Sequence, residues 1–157
     1  MNDIALLPLI AQYRTALQAQ VTLLHEIETL ARDQFAASTA RDFGQLATAT
    51  ARRDELTSTL SAIEDGLHAV RRSLDASRAD VERLPAFSAV ADLRKTAAEL
   101  LAQILSTDQE SMKLLADVEL ARRIALAAFD HGEATLAAYR KVLAPPLATT
   151  SLLNRLG

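Results

Sequence analysis

An all-α protein is expected from three features of the 157-residue chain. Ala and Leu together exceed a third of it, aromatic residues make up 4%, and Gly and Pro number only 4 each. Strong helix formers therefore stand nearly everywhere, while the residues that fill strands are scarce. The third feature is a seven-residue apolar repeat held over two long stretches, the mark of helices packed side by side. The expected architecture is an elongated antiparallel bundle or coiled coil of three long helices plus a short C-terminal helix. On this reading residues 1–143 form a single helical domain and 144–157 a flexible tail.

The first helix is read over residues 3–37. Leu17, Val21, Leu24, Ala31 and Phe35 follow three- and four-residue steps, and Ile10 and Tyr13 extend the stripe backwards. Asp3 is its expected cap, and Pro8 falls within the first turns, where proline is tolerated. Ser38 to Asp42 reads as a stop and restart. Thr39 stands as the cap of a new helix, with Asp42 three residues on as a weak capping box.

The second segment, 41–84, is the most regular. Leu46, Arg53, Leu60, Leu67, Leu74 and Val81 lie seven apart, and so do Leu56, Ile63, Val70, Ser77 and Leu84. Arg53 and Ser77 alone interrupt this pair of apolar rows. Pro85 disfavours α conformation at Leu84, so the helix is expected to end there. As one helix of ~1.5 Å per residue it would be about 66 Å long, which makes the molecule a rod.

A third helix is expected from Phe87 or Ser88 to Asp130. Val90, Ala97, Ile104, Ser111, Val118 and Ala125 keep the seven-residue step, with Leu93, Leu100, Leu114 and Ala121 alongside. This register crosses the polar run Ser106–Ser111, STDQES, which contains no turn residue. The run is therefore read as a polar layer within a continuous helix. Asp130-His131-Gly132 is the expected stop, followed by a short helix from Glu133 to Leu143 and the Pro145-Pro146 break. Apolar pairs such as Leu100-Leu101 and Leu114-Leu115 widen the stripe, because neighbours point about 100° apart on a helix. Either a second neighbouring helix or an open face for a partner helix would use that width.

Charge and composition narrow the function. The net charge is −3 and evenly spread, so no segment is basic enough to attract a nucleic acid backbone. Cysteine is absent, which removes disulfides and thiolate chemistry. The opening MNDIALLPLIAQ has Asp3 where a signal peptide carries positive charge, and its apolar run is too short to span a membrane. A soluble protein of the cytoplasm, without membrane insertion, is expected.

No catalytic, metal or cofactor site emerges. A di-iron bundle needs Glu-x-x-His on two helices plus two further glutamates, whereas this chain offers only Asp65-x-x-His68 and a reversed His25-x-x-Glu28. His68 invites comparison with phosphotransfer bundles, but HAVRRS lacks the glycine that lets a phosphate approach. The scattered glycines build no phosphate loop. The doublets Arg52-Arg53, Arg71-Arg72 and Arg122-Arg123 read as solvated faces that pair with nearby acids such as Asp75 or Glu119. Arg53 and Arg122 sit at or near the seam and have the alternative of meeting an acid across it. Gly66, in mid-helix, marks close packing, a bend or neither.

Two stretches carry a family likeness. One is FAASTARDFGQLATATARRDELTSTL, a leucine-bearing run broken by a restart. The other is LLAQILSTDQESMKLLADVELARRIALAAF, followed by Tyr139 in LAAYRKV and the terminal Gly157. In these the chain resembles the flagellar export chaperones of the FlgN type. It departs from them in having Asp108, Gln109 and Glu110 where the family favours asparagine, and in the RKVLAPPLATT that follows Tyr139.

The resemblance implies a cytosolic protein, not an enzyme and without cofactor. It would bind the C-terminal amphipathic helices of flagellar hook-associated proteins at the hook–filament junction, hold them unassembled and deliver them to an export gate component. It implies a client-binding groove of Leu100, Leu101, Ile104, Asp108, Ser111, Leu114, Leu115 and Val118, in which the polar residues set register. Tyr139 would be the export-gate contact, and the free protein a monomer or weak homodimer. The alternative is a structural or scaffold coiled coil that self-associates through residues 46–84.

Overall fold

A computed structural model describes residues 2–128, and these are all-α: helices α1 (Asp3–Ala40), α2 (Phe43–Ala76), α3 (Arg78–Arg83) and α4 (Phe87–Ala128), with no strand among them. The expected stop at Asp130–Gly132, the short helix 133–143 and the tail 144–157 lie outside the described residues. No described helix is long and apolar enough to cross a membrane.

Asn2, not Asp3, caps α1. Its Oδ1 accepts the Ile4 N–H at 2.8 Å, and its carbonyl accepts those of Ala5 and Leu6. Asp3 is instead a first-turn acid, where its charge meets the positive end of the helix. The helix then continues through the expected restart. Thr39 is no cap, because its hydroxyl donates back to the Phe35 carbonyl at 2.9 Å. The turn comes at Arg41, which adopts φ 56°. Around it Asp42 N–H reaches Ala37 O at 2.9 Å and Arg41 N–H reaches Ser38 O at 3.3 Å, the paired bonds of a left-handed helix end. Asp42 then caps α2 by accepting the Gln45 N–H at 3.1 Å.

The single helix expected over 41–84 is two. Ser77, with φ −119° and ψ 30°, separates α2 from the six-residue α3. It is the polar interruption of its seven-residue row, so no large apolar side chain holds the helix straight there. The Ser77 N–H bonds the Leu74 carbonyl at 3.1 Å, and the Ser77 carbonyl accepts from Asp80 and Val81, each at 3.0 Å. The seam resumes at once, since Val81 is buried. Leu84, at ψ 130° ahead of Pro85, is extended as its neighbour requires. From Phe87 onward α4 runs unbroken through STDQES, as the register predicts.

The described chain falls into two compact units, each built from part of α1, part of α2 and part of α4. Among the described residues, unit 1 comprises 2–28 and Leu56–Gln103, and unit 2 comprises Thr29–Glu55 and 104–128. Unit 1 has an aliphatic core. Leu6, Ile10, Tyr13 and Leu17 of α1 pack with Leu67, Val70 and Leu74 of α2, Val81 of α3 and Val90 of α4. Burying each such side chain favours folding by about 1.5–3 kcal/mol before chain entropy is counted. Unit 2 is different inside. Its buried apolar residues are Leu46 and Ile104 with the small Ala31, Ala37 and Ala49, and they share the interior with Gln34, Ser38, Arg53, Asp108 and Ser111.

Candidate partner-binding site

The polar run of α4 is built into the interior of unit 2. Asp108, four residues beyond the fully buried Ile104, points the same way as Ile104 on the helix and is 4% exposed. It meets Arg53 of α2, itself 1% exposed. Arg53 Nη1 donates to Asp108 Oδ1 and Nη2 to Oδ2, both at 2.6 Å, a two-pronged pair. Arg53 Nη1 also donates to Gln34 Oε1 on α1 at 2.7 Å, and Gln34 Nε2 donates to Thr50 Oγ1 at 2.9 Å. The charged residue that interrupts the α2 row thus lies opposite the buried one of the two acids in STDQES. Of the two pairings open to Arg53, the acid across the seam is the one formed. Arg122 takes the other course and pairs with Glu119 one turn back on its own helix.

The layer is not fully satisfied. The hydroxyls of Ser38 and Ser111 are buried and bond to no protein group among the described residues. With alanines around them, they make this the weaker apolar interior of the two.

The expected groove residues divide by burial. Leu100 and Ile104 are buried, as are Asp108 and Ser111, while Leu101, Leu114, Leu115 and Val118 are partly exposed. Leu100 and Leu101 belong to unit 1 and the other six to unit 2. Tyr139 lies outside the described residues. Three large apolar residues not anticipated for a site are exposed on this helix: Met112, Leu120 and Ile124, at 51%, 57% and 62%. Their spacings of eight and four place them on one face, which the shift of the inward row to Ile104, Asp108 and Ser111 leaves outside.

The remaining clusters are tied up locally. In unit 1 a cavity of about 190 Å³ gathers Arg71, Arg78 and Arg94 with Tyr13, Asp75 and Glu82. Arg71 is committed to Glu64 through bonds of 2.8 and 2.9 Å and stacks 5.7 Å from the Tyr13 ring. Those bonds hold Glu64 below the ordinary carboxylate range despite burial, with Gln20 donating a further one at 2.5 Å. Arg78 is engaged by Glu82 at 2.9 Å. His25 and His68 are exposed. Among the described residues no group of three or more His, Cys, Asp or Glu is placed to hold a metal ion.

No protein-family model, curated protein or solved structure matches this chain.

Proposed function

We propose that this chain is a cytosolic export chaperone of the FlgN type. It binds the C-terminal helices of hook–filament junction proteins, keeps them from assembling and delivers them to the flagellar export gate. The observation that carries the reading is the apolar surface of the second half of α4. Met112, Leu120 and Ile124 are open on its outer face, Leu114, Leu115 and Val118 are only half covered by its neighbours, and an apolar surface of that kind suits a second amphipathic helix. Leu100, Leu101, Ile104, Asp108 and Ser111 complete the groove, and the inward-facing ones join it when α4 separates from its neighbours. Tyr139 is the proposed gate contact.

The scaffold belonging to this reading is three long helices in an antiparallel bundle. Pairings within unit 1 support it. From Tyr13 to Gln20 the α1 partner advances by seven residues, while the α2 partner retreats by seven, from Arg71 to Glu64.

The test is calorimetry of the full chain against a peptide covering the last roughly 50 residues of the host's own hook-associated proteins, a length that holds a groove-binding helix. One-to-one binding at micromolar affinity or tighter is expected, lost on Leu115→Asp with helicity retained. Absence of binding by a folded chain overturns the reading. The same open residues favour a second one, a scaffold that self-associates, and a solution mass of a stable dimer or larger assembly would select it.

A further inference from the structure

Arg53 is the largest fully buried side chain of unit 2, and the hairpin of α1 and α2 has arranged it before α4 is considered. Gln34 from α1 accepts one of its N–H groups, and Thr50 from α2 orients Gln34 in turn. To that arrangement α4 adds a carboxylate, Asp108, which meets both ends of the guanidinium. Of the hairpin's other buried residues only Leu46 is a large apolar one, beside Ala31, Ala37, Ala49, Gln34 and Ser38, so apolar packing discriminates poorly between one helix and another. The ion pair discriminates strongly, because a helix without an inward carboxylate strands a buried guanidinium. The hold of α4 on this hairpin also declines along its length: Asp108 and Ser111 are buried, while Leu115 and Val118, further along the same inward side, are only partly so.

We propose that the hairpin of residues 29–55 is a receptor for a helix bearing an Asp or Glu opposite Arg53, with the second half of α4 as its resident occupant. A partner helix with a carboxylate at that position displaces α4 and frees its inner face. The inference rests on the chaperone reading for the partner's identity and names the feature by which a client helix is recognised. A client lacking an inward acid is refused, however apolar it is.

The probe is a fluorescein-labelled peptide of this chain's own residues 97–122, with Asp or Asn at position 108, titrated into the full-length chain. The Asp108→Asn chain should bind the Asp peptide at least ~10-fold more tightly than the Asn peptide, a gap of about 1.4 kcal/mol. The unsubstituted chain should bind it more weakly than that variant, because its own Asp108 competes. Equal binding of the two peptides, or none by a folded variant, overturns the proposal.

Hydrogen exchange on the unsubstituted chain gives a second reading that does not depend on the variant folding. Amides of 104–118 should lose protection when excess Asp peptide is added and keep it with the Asn peptide; no difference is again fatal. If Arg53→Asp and Asp108→Arg chains dimerise only when mixed, the occupant is a second copy and the assignment to a foreign helix fails. None of these probes is a hook protein, so a receptor found here survives failure of the client calorimetry.

Discussion

Arg53 and Asp108, 55 residues apart in sequence, form a two-pronged ion pair with both bonds at 2.6 Å in an interior almost closed to water. The pair explains why six polar residues interrupt an otherwise leucine-rich helix without breaking it. STDQES supplies one buried acid, one buried serine and a solvated remainder, so the helix passes through with its register kept. It also explains how the Arg interruption of the α2 row is tolerated. Each charge would be costly to bury alone, and together they are compatible with the interior.

Arg41 predicts a stabilising substitution. Its φ of 56° is the left-handed conformation that glycine adopts freely and other L-residues reach at a cost of roughly 1–2 kcal/mol. Arg41→Gly should raise the unfolding free energy by up to about 1 kcal/mol, since glycine's greater freedom when unfolded offsets part of the relief. Arg41→Val should lower it. Urea unfolding of the three proteins checks the order, and a destabilised glycine variant would refute the turn geometry.

Gly66 predicts another. It stands in the middle of α2, and a methyl group added there would meet nothing within 4 Å. Close packing is therefore not its purpose. Gly66→Ala should stabilise the protein by up to ~1 kcal/mol through helix propensity alone. A loss of stability would mean that something approaches the position closely.

A pH dependence follows from Glu64. Arg71, and to a lesser degree Gln20, hold its carboxyl below the ordinary value of 4.5, and burial opposes them only in part. A depressed carboxylate contributes stability that is complete above its unfolded pKa and is lost as pH falls through the folded one. The urea midpoint should therefore fall with pH below about 4.5, and Glu64→Gln should flatten that part of the profile. The same slope in both proteins would remove Glu64 from the account.

Much of this was legible in the residues, and the exceptions share a cause. The two rows of α2 are those that the seven-residue spacing marks out, because apolar side chains there do the packing. On α1 the buried positions include Gln20, Gln34 and Ser38, with Val21 and Phe35 only partly buried. A reading that follows apolar residues slides off a seam whose occupants are polar and satisfied by partners on another helix. The Arg53–Asp108 pairing had the same obstacle, since each residue is visible as an oddity but their apposition is set by how α2 and α4 pack. The helix break at Ser77 was signalled only by a missing apolar side chain. The turn at Arg41 carried no glycine to announce it.

The most direct test of the buried pair is a double-mutant cycle in urea. Arg53→Ala and Asp108→Ala should each cost about 3–5 kcal/mol, because each leaves the other charge buried and alone. The chain carrying both alanines should lose clearly less than the sum of the two, and the paired apolar replacement, Arg53→Met with Asp108→Leu, should fall within about 1 kcal/mol of the parent or exceed it. Single substitutions that cost less than ~0.5 kcal/mol and simply add would place both side chains in water, and would contradict a charged layer holding α4 to the hairpin.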